Sequence, residues 1–65
     1  MPIMSVRLAR CTLNGRRYLW AWITYAQAVA LCFGDLDNAS FLIAHAVRID
    51  LRYDYERYLI IIADD

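Results

Sequence analysis

The sequence has little of several residue types that usually punctuate or cross-link a small domain. Its 65 residues contain no lysine, one proline, two glycines, one histidine and two cysteines. Two cysteines outside any CxxC pair are too few for the disulfide framework of small secreted domains, so we expect reduced thiols. Because 62% of the residues are hydrophobic, the composition excludes a disordered chain and predicts a single packed domain over residues 1–65.

Long apolar segments are also absent. No apolar run approaches the roughly 20 residues that cross a bilayer, and Arg7 and Arg10 interrupt the N-terminal stretch before the apolar core of a signal peptide. We therefore expect a soluble, cytoplasmic protein with no membrane partner. A chain of this size buries only about 60% of its unfolded surface, so some of its apolar surface is expected to lie against another chain, as a homodimer or on a partner.

Charge is balanced overall but unevenly distributed. Residues 1–34 carry four arginines and no acid, which gives +4, whereas residues 35–65 carry three arginines and seven acids, which gives −4. Two interpretations follow: the halves neutralise each other within one sheet, or the arginines of the first half face an acidic partner. Because every basic residue is arginine, each cation is able to make bidentate or stacking contacts.

The dipeptide Asn14-Gly15 lies between two strand-like stretches within residues 5–23. Both residues tolerate the positive φ that a type I′ turn requires, so the sequence predicts a two-residue hairpin. Pro2 keeps the lead-in at residues 1–4 out of the sheet. In the predicted register, opposite residue numbers sum to 29. One face then carries Arg7, Ala9, Cys11, Tyr18, Trp20 and Trp22, and the other carries Val6, Leu8, Arg10, Thr12, Arg17, Leu19, Ala21 and Ile23.

A helix is predicted from Thr24 to Phe33. The Thr24 hydroxyl is placed to accept a hydrogen bond from the amide of Gln27, and Gly34 is suited to the left-handed residue after a helix end. Alanines at positions 26, 28 and 30 permit close approach to a sheet.

The second half of the chain is predicted to form two strands. Residues 35–40 read as a turn-rich loop, and regular alternation from His45 to Tyr53 predicts a strand. Residues 41–47 alone also fit a helix, because short apolar runs are ambiguous. After a turn near residues 53–56, residues 57–63 are apolar on both faces, which is typical of a strand in the middle of a sheet.

These elements predict an α+β domain of order ββαββ, with one helix packed on a four-stranded, mostly antiparallel sheet. Two spatial strand orders remain open. The last strand lies beside the first, as in a ubiquitin-like β-grasp, or the two hairpins simply form one sheet.

One helix covers one face of such a sheet. The face with Leu19, Ala21 and Ile23 suits the helix, which leaves the aromatic face free and lets Arg7 make a cation–π contact with Trp22. In the alternative arrangement the helix covers the aromatic residues. Tryptophan, tyrosine and arginine are enriched in binding hot spots. We therefore predict a partner-binding surface made of Arg7, Arg16, Arg17, Tyr18, Trp20 and Trp22.

Residues that carry catalysis are missing. His45 is the one histidine, and its place in the alternating pattern predicts a buried residue rather than a base. One histidine and two separated cysteines make no closed metal site, and no Gly-rich phosphate loop is present. We therefore predict no enzyme activity, no cofactor and no metal. Arginines among aromatics are also typical of nucleic-acid-binding sheets, but zero net charge and the acidic second half argue against that partner.

In size and style the chain resembles the small inhibitors that bacteriophages and mobile elements encode, including anti-CRISPR proteins. This resemblance implies a non-enzymatic protein-binding module that occupies a surface of a larger host complex, such as a CRISPR effector. The alternatives are a structural homodimer or accessory subunit, which would use the aromatic face on itself, and a nucleic-acid-binding sheet protein.

Overall fold

A computed structural model describes residues 6–64 of the chain, in which two helices lie on one side of a four-stranded antiparallel sheet. The α+β class is therefore confirmed, but a second helix makes the order ββααββ. The predicted lead-in at residues 1–4 lies outside the described residues. The elements are β1 (Ala9–Leu13), β2 (Arg16–Ile23), α1 (Tyr25–Leu31), α2 (Leu36–Ala44), β3 (Arg48–Leu51) and β4 (Glu56–Ala63).

The hairpin of β1 and β2 has the predicted turn and register. Asn14 and Gly15 have φ of 51° and 78°, the two positive values that a type I′ turn requires. Ala9 lies opposite Trp20 and Leu13 lies opposite Arg16, so opposite residue numbers sum to 29. The local turn chemistry thus determines which side chains share a face.

Helix α1 begins as predicted and ends earlier. The Thr24 side chain accepts from the Gln27 amide, and the Gln27 side chain accepts from the Thr24 amide, which completes a capping box. The helix stops at Leu31, and Phe33 rather than Gly34 is the first left-handed residue, with φ of 54°. The Gly34 amide donates to the Val29 carbonyl at 2.9 Å, which is the long hydrogen bond of a Schellman motif.

The loop predicted for residues 35–40 is wrong, because these residues form the N-cap and the first turns of helix α2. The Asp35 side chain caps the helix by accepting from the Asn38 amide at 3.1 Å. Ala39 is fully buried in the core, so one face of α2 is anchored to the rest of the domain. Asp, Asn and Ser favour turns and helix N-termini for the same reason, because their side chains bond nearby amides. Tertiary packing at Ala39 favours the helix.

The strand predicted from His45 to Tyr53 is shortened at both ends. His45 caps the C-terminus of α2, and its side chain is exposed, with Nδ1 2.9 Å from the Phe41 carbonyl oxygen, so the predicted burial of this histidine is wrong. Strand β3 occupies only Arg48–Leu51. The turn that follows is closed by the Arg52 amide, which donates to the Tyr55 carbonyl at 2.8 Å.

The strand order is β1-β2-β4-β3. Strand β4 therefore lies in the interior of the sheet, as its two apolar faces predict, and it pairs with β2 and β3 rather than with β1. Both helices pack on the same face of this sheet. The buried core there consists of Ala21, Ile23, Ala28, Ala39, Tyr58 and Ile60, with Val6 and Leu8 packed against it.

Candidate functional site

The face of the sheet opposite the helices carries the aromatic residues of β2. Ala21 and Ile23 point into the core beneath the helices, so the alternating residues Tyr18, Trp20 and Trp22 point to the other side. No helix among residues 6–64 lies on that side. The helices thus cover the face that was predicted for them, the one with Ala21 and Ile23. We call the opposite face, with Tyr18, Trp20 and Trp22, the open face.

Strand pairing builds an apolar centre on the open face. Trp20 lies between Ala9 of β1 and Ile61 of β4, and Trp22 lies opposite Leu59. Both tryptophans are half-buried, because neighbouring side chains cover their edges while no helix or strand of residues 6–64 covers their outer surface. The centre is consequently apolar, ordered by its neighbours and accessible.

A charged group lies at one end of this centre. The Arg57 guanidinium lies over the Trp22 ring, with Cζ 5.0 Å from the ring centroid, within the range of a cation–π contact. Arg57 Nη2 also contacts Asp50 Oδ2 at 2.5 Å, and Arg52 Nη2 contacts the same oxygen at 2.9 Å. The cation that lies on Trp22 is therefore Arg57, and the predicted cation–π contact between Arg7 and Trp22 is wrong.

These contacts lower the pKa of Asp50. The hydrogen bond from Arg57 lowers the pKa of this carboxyl, desolvation opposes the shift, and the charge of Arg52 adds to it. Asp50 is therefore held in its charged form and fixes the guanidinium that lies on Trp22. The Arg57 Nε is buried and has no hydrogen-bond acceptor among the described residues.

The six predicted partner-binding residues separate into three groups in the structure. Arg16 shares the open face with Tyr18, Trp20 and Trp22, because all four have the same parity along β2. Arg17 has the opposite parity and lies on the helix side of the sheet, at the hairpin tip. Arg7 is exposed and precedes β1.

Three residues of β4 on the open face were missed by the sequence reasoning: Arg57, Leu59 and Ile61. Period-two alternation in residues 57–63 places these three residues on one face of the strand, and this grouping could have been inferred from the sequence. Nothing local to the sequence shows that this strand pairs with β2, so their contact with the tryptophans was not predictable.

The ion pairs also bear on the charge asymmetry of the chain. Among residues 6–64, both ion pairs join Asp50 to arginines of the second half. The four arginines of the first half form no ion pair with an acid among residues 6–64.

Comparison with protein-family models, curated proteins and solved structures found no match to this chain. Neither helix within residues 6–64 has the length and apolar character needed to cross a membrane. In the same part of the chain, no group of three or more histidine, cysteine, aspartate or glutamate residues is placed to hold a metal ion.

Proposed function

We propose that this chain is a non-enzymatic protein-binding module that uses the open face to occupy a surface of a larger protein. The observation that carries the proposal is the position of Trp20 and Trp22 on a sheet face that no described helix covers. Large aromatic side chains are costly to leave in water, and they are the residues most enriched at binding hot spots.

The arrangement of the open face has the anatomy of a protein interface. Its centre is apolar, with Trp20, Trp22, Leu59 and Ile61, and charged residues lie toward its ends. Stable interfaces commonly combine an apolar centre with a polar rim. The contact of Arg57 with Trp22 restricts the ring before binding, so less side-chain entropy is lost when a partner arrives.

Charge indicates the chemistry of the partner. Arg16 at the hairpin end and Arg48 on β3 form no ion pair with any described residue, and both have the parity of the open face. A partner that presents an apolar patch flanked by carboxylates would match this surface. The resemblance to small phage-encoded inhibitors favours a component of a host complex, such as a CRISPR effector, as that partner.

The test is affinity capture from a host lysate with three forms of the protein. We expect the wild type and a Tyr53→Ser control, altered at a fully exposed residue of the β3–β4 turn, to retain the same protein. The double variant Trp20→Ser with Trp22→Ser should lose it while circular dichroism still shows a folded domain. Equal retention by all three forms would contradict the proposal.

Two other outcomes would replace this function by a different one. A dimer that dissociates when the tryptophans are changed would assign the aromatic face to self-association. Salt-dependent retention of generic RNA or DNA, lost in the same double variant, would indicate base stacking on the tryptophans.

A further inference from the structure

A second surface is independent of the open face and involves strand β3. This strand pairs with β4 alone, so its other edge meets no strand of the described chain. Neither helix packs on β3. Its helix-side residues Ile49 and Leu51 are accordingly exposed, with relative exposures of 61% and 70%. An exposed apolar edge strand is a template for pairing with another chain.

The backbone of β3 determines which of its groups are free. The Arg52 amide donates to Tyr55, in the same register that pairs Asp50 with Arg57. Hydrogen bonding alternates along an antiparallel strand, so Asp50 also turns its amide and carbonyl toward β4. Ile49 and Leu51 therefore direct their backbone groups to the free edge.

We infer that two copies of this chain pair through the free edges of β3, antiparallel and centred on Ile49, so that the two four-stranded sheets become one continuous sheet. A two-fold axis perpendicular to the sheet keeps the helices of both copies on the same side. Ile49 then lies opposite Ile49 of the second copy. On the other side of the sheet, Arg48 of each copy lies opposite Asp50 of the other.

Charge selects this register over its neighbours. Shifting the strands by one register step places Asp50 opposite Asp50 in one direction and Arg48 opposite Arg48 in the other, and like charges directly opposite destabilise a sheet. Arg48 has no ion-pair partner among the described residues. Both arginines that contact Asp50 do so at Oδ2, which leaves Oδ1 for a third donor.

A second copy is the occupant that this edge fits best, because the strand is complementary to itself. In a two-fold interface, residue i contacts residue j and residue j contacts residue i. The short sequence Arg48-Ile49-Asp50 satisfies that condition on both faces at once. Among the described helices and strands, β4 alone packs against β3.

This dimer would place two open faces side by side on one surface. It does not rest on the proposed function, since β3 pairing leaves Trp20, Trp22 and Arg16 uncovered; in the dimer Arg48 pairs with Asp50 of the second copy instead of with the partner. If both inferences hold, a partner with two equivalent sites gains avidity from the pair.

The experiment measures the mass of the purified protein by sedimentation and light scattering over a range of concentrations. We expect the wild type to dimerise. Arg48→Asp places an aspartate opposite Asp50 at two positions of the dimer, and Asp50→Arg places an arginine opposite Arg48 at two positions. Each variant alone should therefore raise the dissociation constant of the dimer by about a hundredfold or more. Mixed together, the two variants restore both opposite-charge pairs and should form a heterodimer.

Ile49→Lys provides a second variant that leaves both charged residues in place. Ile49 is largely exposed, so the change should leave the fold intact while placing two lysines opposite each other and abolishing the dimer. A monomeric wild type, or a dimer that both Arg48→Asp and Ile49→Lys leave unchanged, would overturn the inference. Loss of the dimer in Trp20→Ser alone would also overturn it. Partner capture by the monomeric Ile49→Lys variant tests the proposed function separately.

Discussion

The guanidinium of Arg57 lies over the ring of Trp22, with Cζ 5.0 Å from the ring centroid, and joins β4 to β2 on the open face. Trp22 lies directly opposite Leu59, so Arg57 is its diagonal neighbour, a position within reach of long side chains. The second contact of the same guanidinium, with Asp50, extends this connection to β3. Three of the four strands thus meet at one cation.

Removing that cation should free Trp22. We expect Arg57→Ala to shift the tryptophan fluorescence toward longer wavelength, because the ring becomes more hydrated, and to lower the free energy of unfolding by about 0.5–2 kcal/mol. Arg52→Ala is the matched control, since it removes a contact with the same carboxylate oxygen but none with the ring. Identical emission spectra for the Arg57 variant and the wild type would show that the contact does not order Trp22.

Acid should destabilise the domain in part through Asp50. Its pKa is lowered from the usual 3.8, first by the Arg57 hydrogen bond, so its contribution to stability is fully present above pH 3.8 and is lost as pH falls through the lower folded-state pKa. Asp50→Asn should therefore flatten the acid limb of the stability profile measured by urea unfolding. Asp54→Asn, at an exposed acid with no ion pair among the described residues, should leave that limb close to wild type.

The end of α1 contains a phenylalanine in an unfavourable conformation. Phe33 has φ of 54° and is 99% exposed, so little packing offsets the strain of its left-handed backbone. We expect Phe33→Gly to raise the free energy of unfolding by up to about 1 kcal/mol. Phe33→Ala removes the same ring but keeps a Cβ, and it should give no comparable gain. Equal stability of the two variants would contradict the strain.

Arg16 and Arg17, at the hairpin tip, lie on opposite faces of the sheet. If the rim of the open face steers an acidic partner, Arg16→Glu should slow association by about tenfold or more at low salt, and the double variant with Arg17→Glu should slow it further. Arg17→Glu alone should have the smaller effect, because this residue lies on the helix side. On-rates at two ionic strengths check this prediction, and an on-rate equal to wild type for the double variant would remove both arginines from the site.

Local chemistry made the first half of the fold predictable. The turn at Asn14 and Gly15 and the capping box of Thr24 and Gln27 are each made by residues within three positions of one another. Such interactions can be recognised in the sequence without knowing the rest of the fold. They determine which residues of β2 share a face, and so they place Trp20 and Trp22 on the same side of the sheet.

The second half was less predictable for a physical reason. Residues 35–47 combine turn-forming polar residues with a short apolar run, a pattern compatible with loop, strand or helix. The buried Ala39 and the cap at Asp35 belong to a helix that the other elements stabilise. Propensity alone did not separate these states, because packing against the rest of the core decides between them.

The sequence by itself determined the hairpin, its register, the start of the first helix, the class of the domain and the alternation that puts the aromatic residues on one face. Only the tertiary structure decided that β4 lies beside β2, that Arg57 rather than Arg7 covers Trp22, and that β3 pairs with no strand of residues 6–64 other than β4. The physical reason is how far apart in the sequence the interacting residues lie. Turns and caps depend on neighbours in the sequence, whereas strand order depends on which distant segments bury the most apolar surface together.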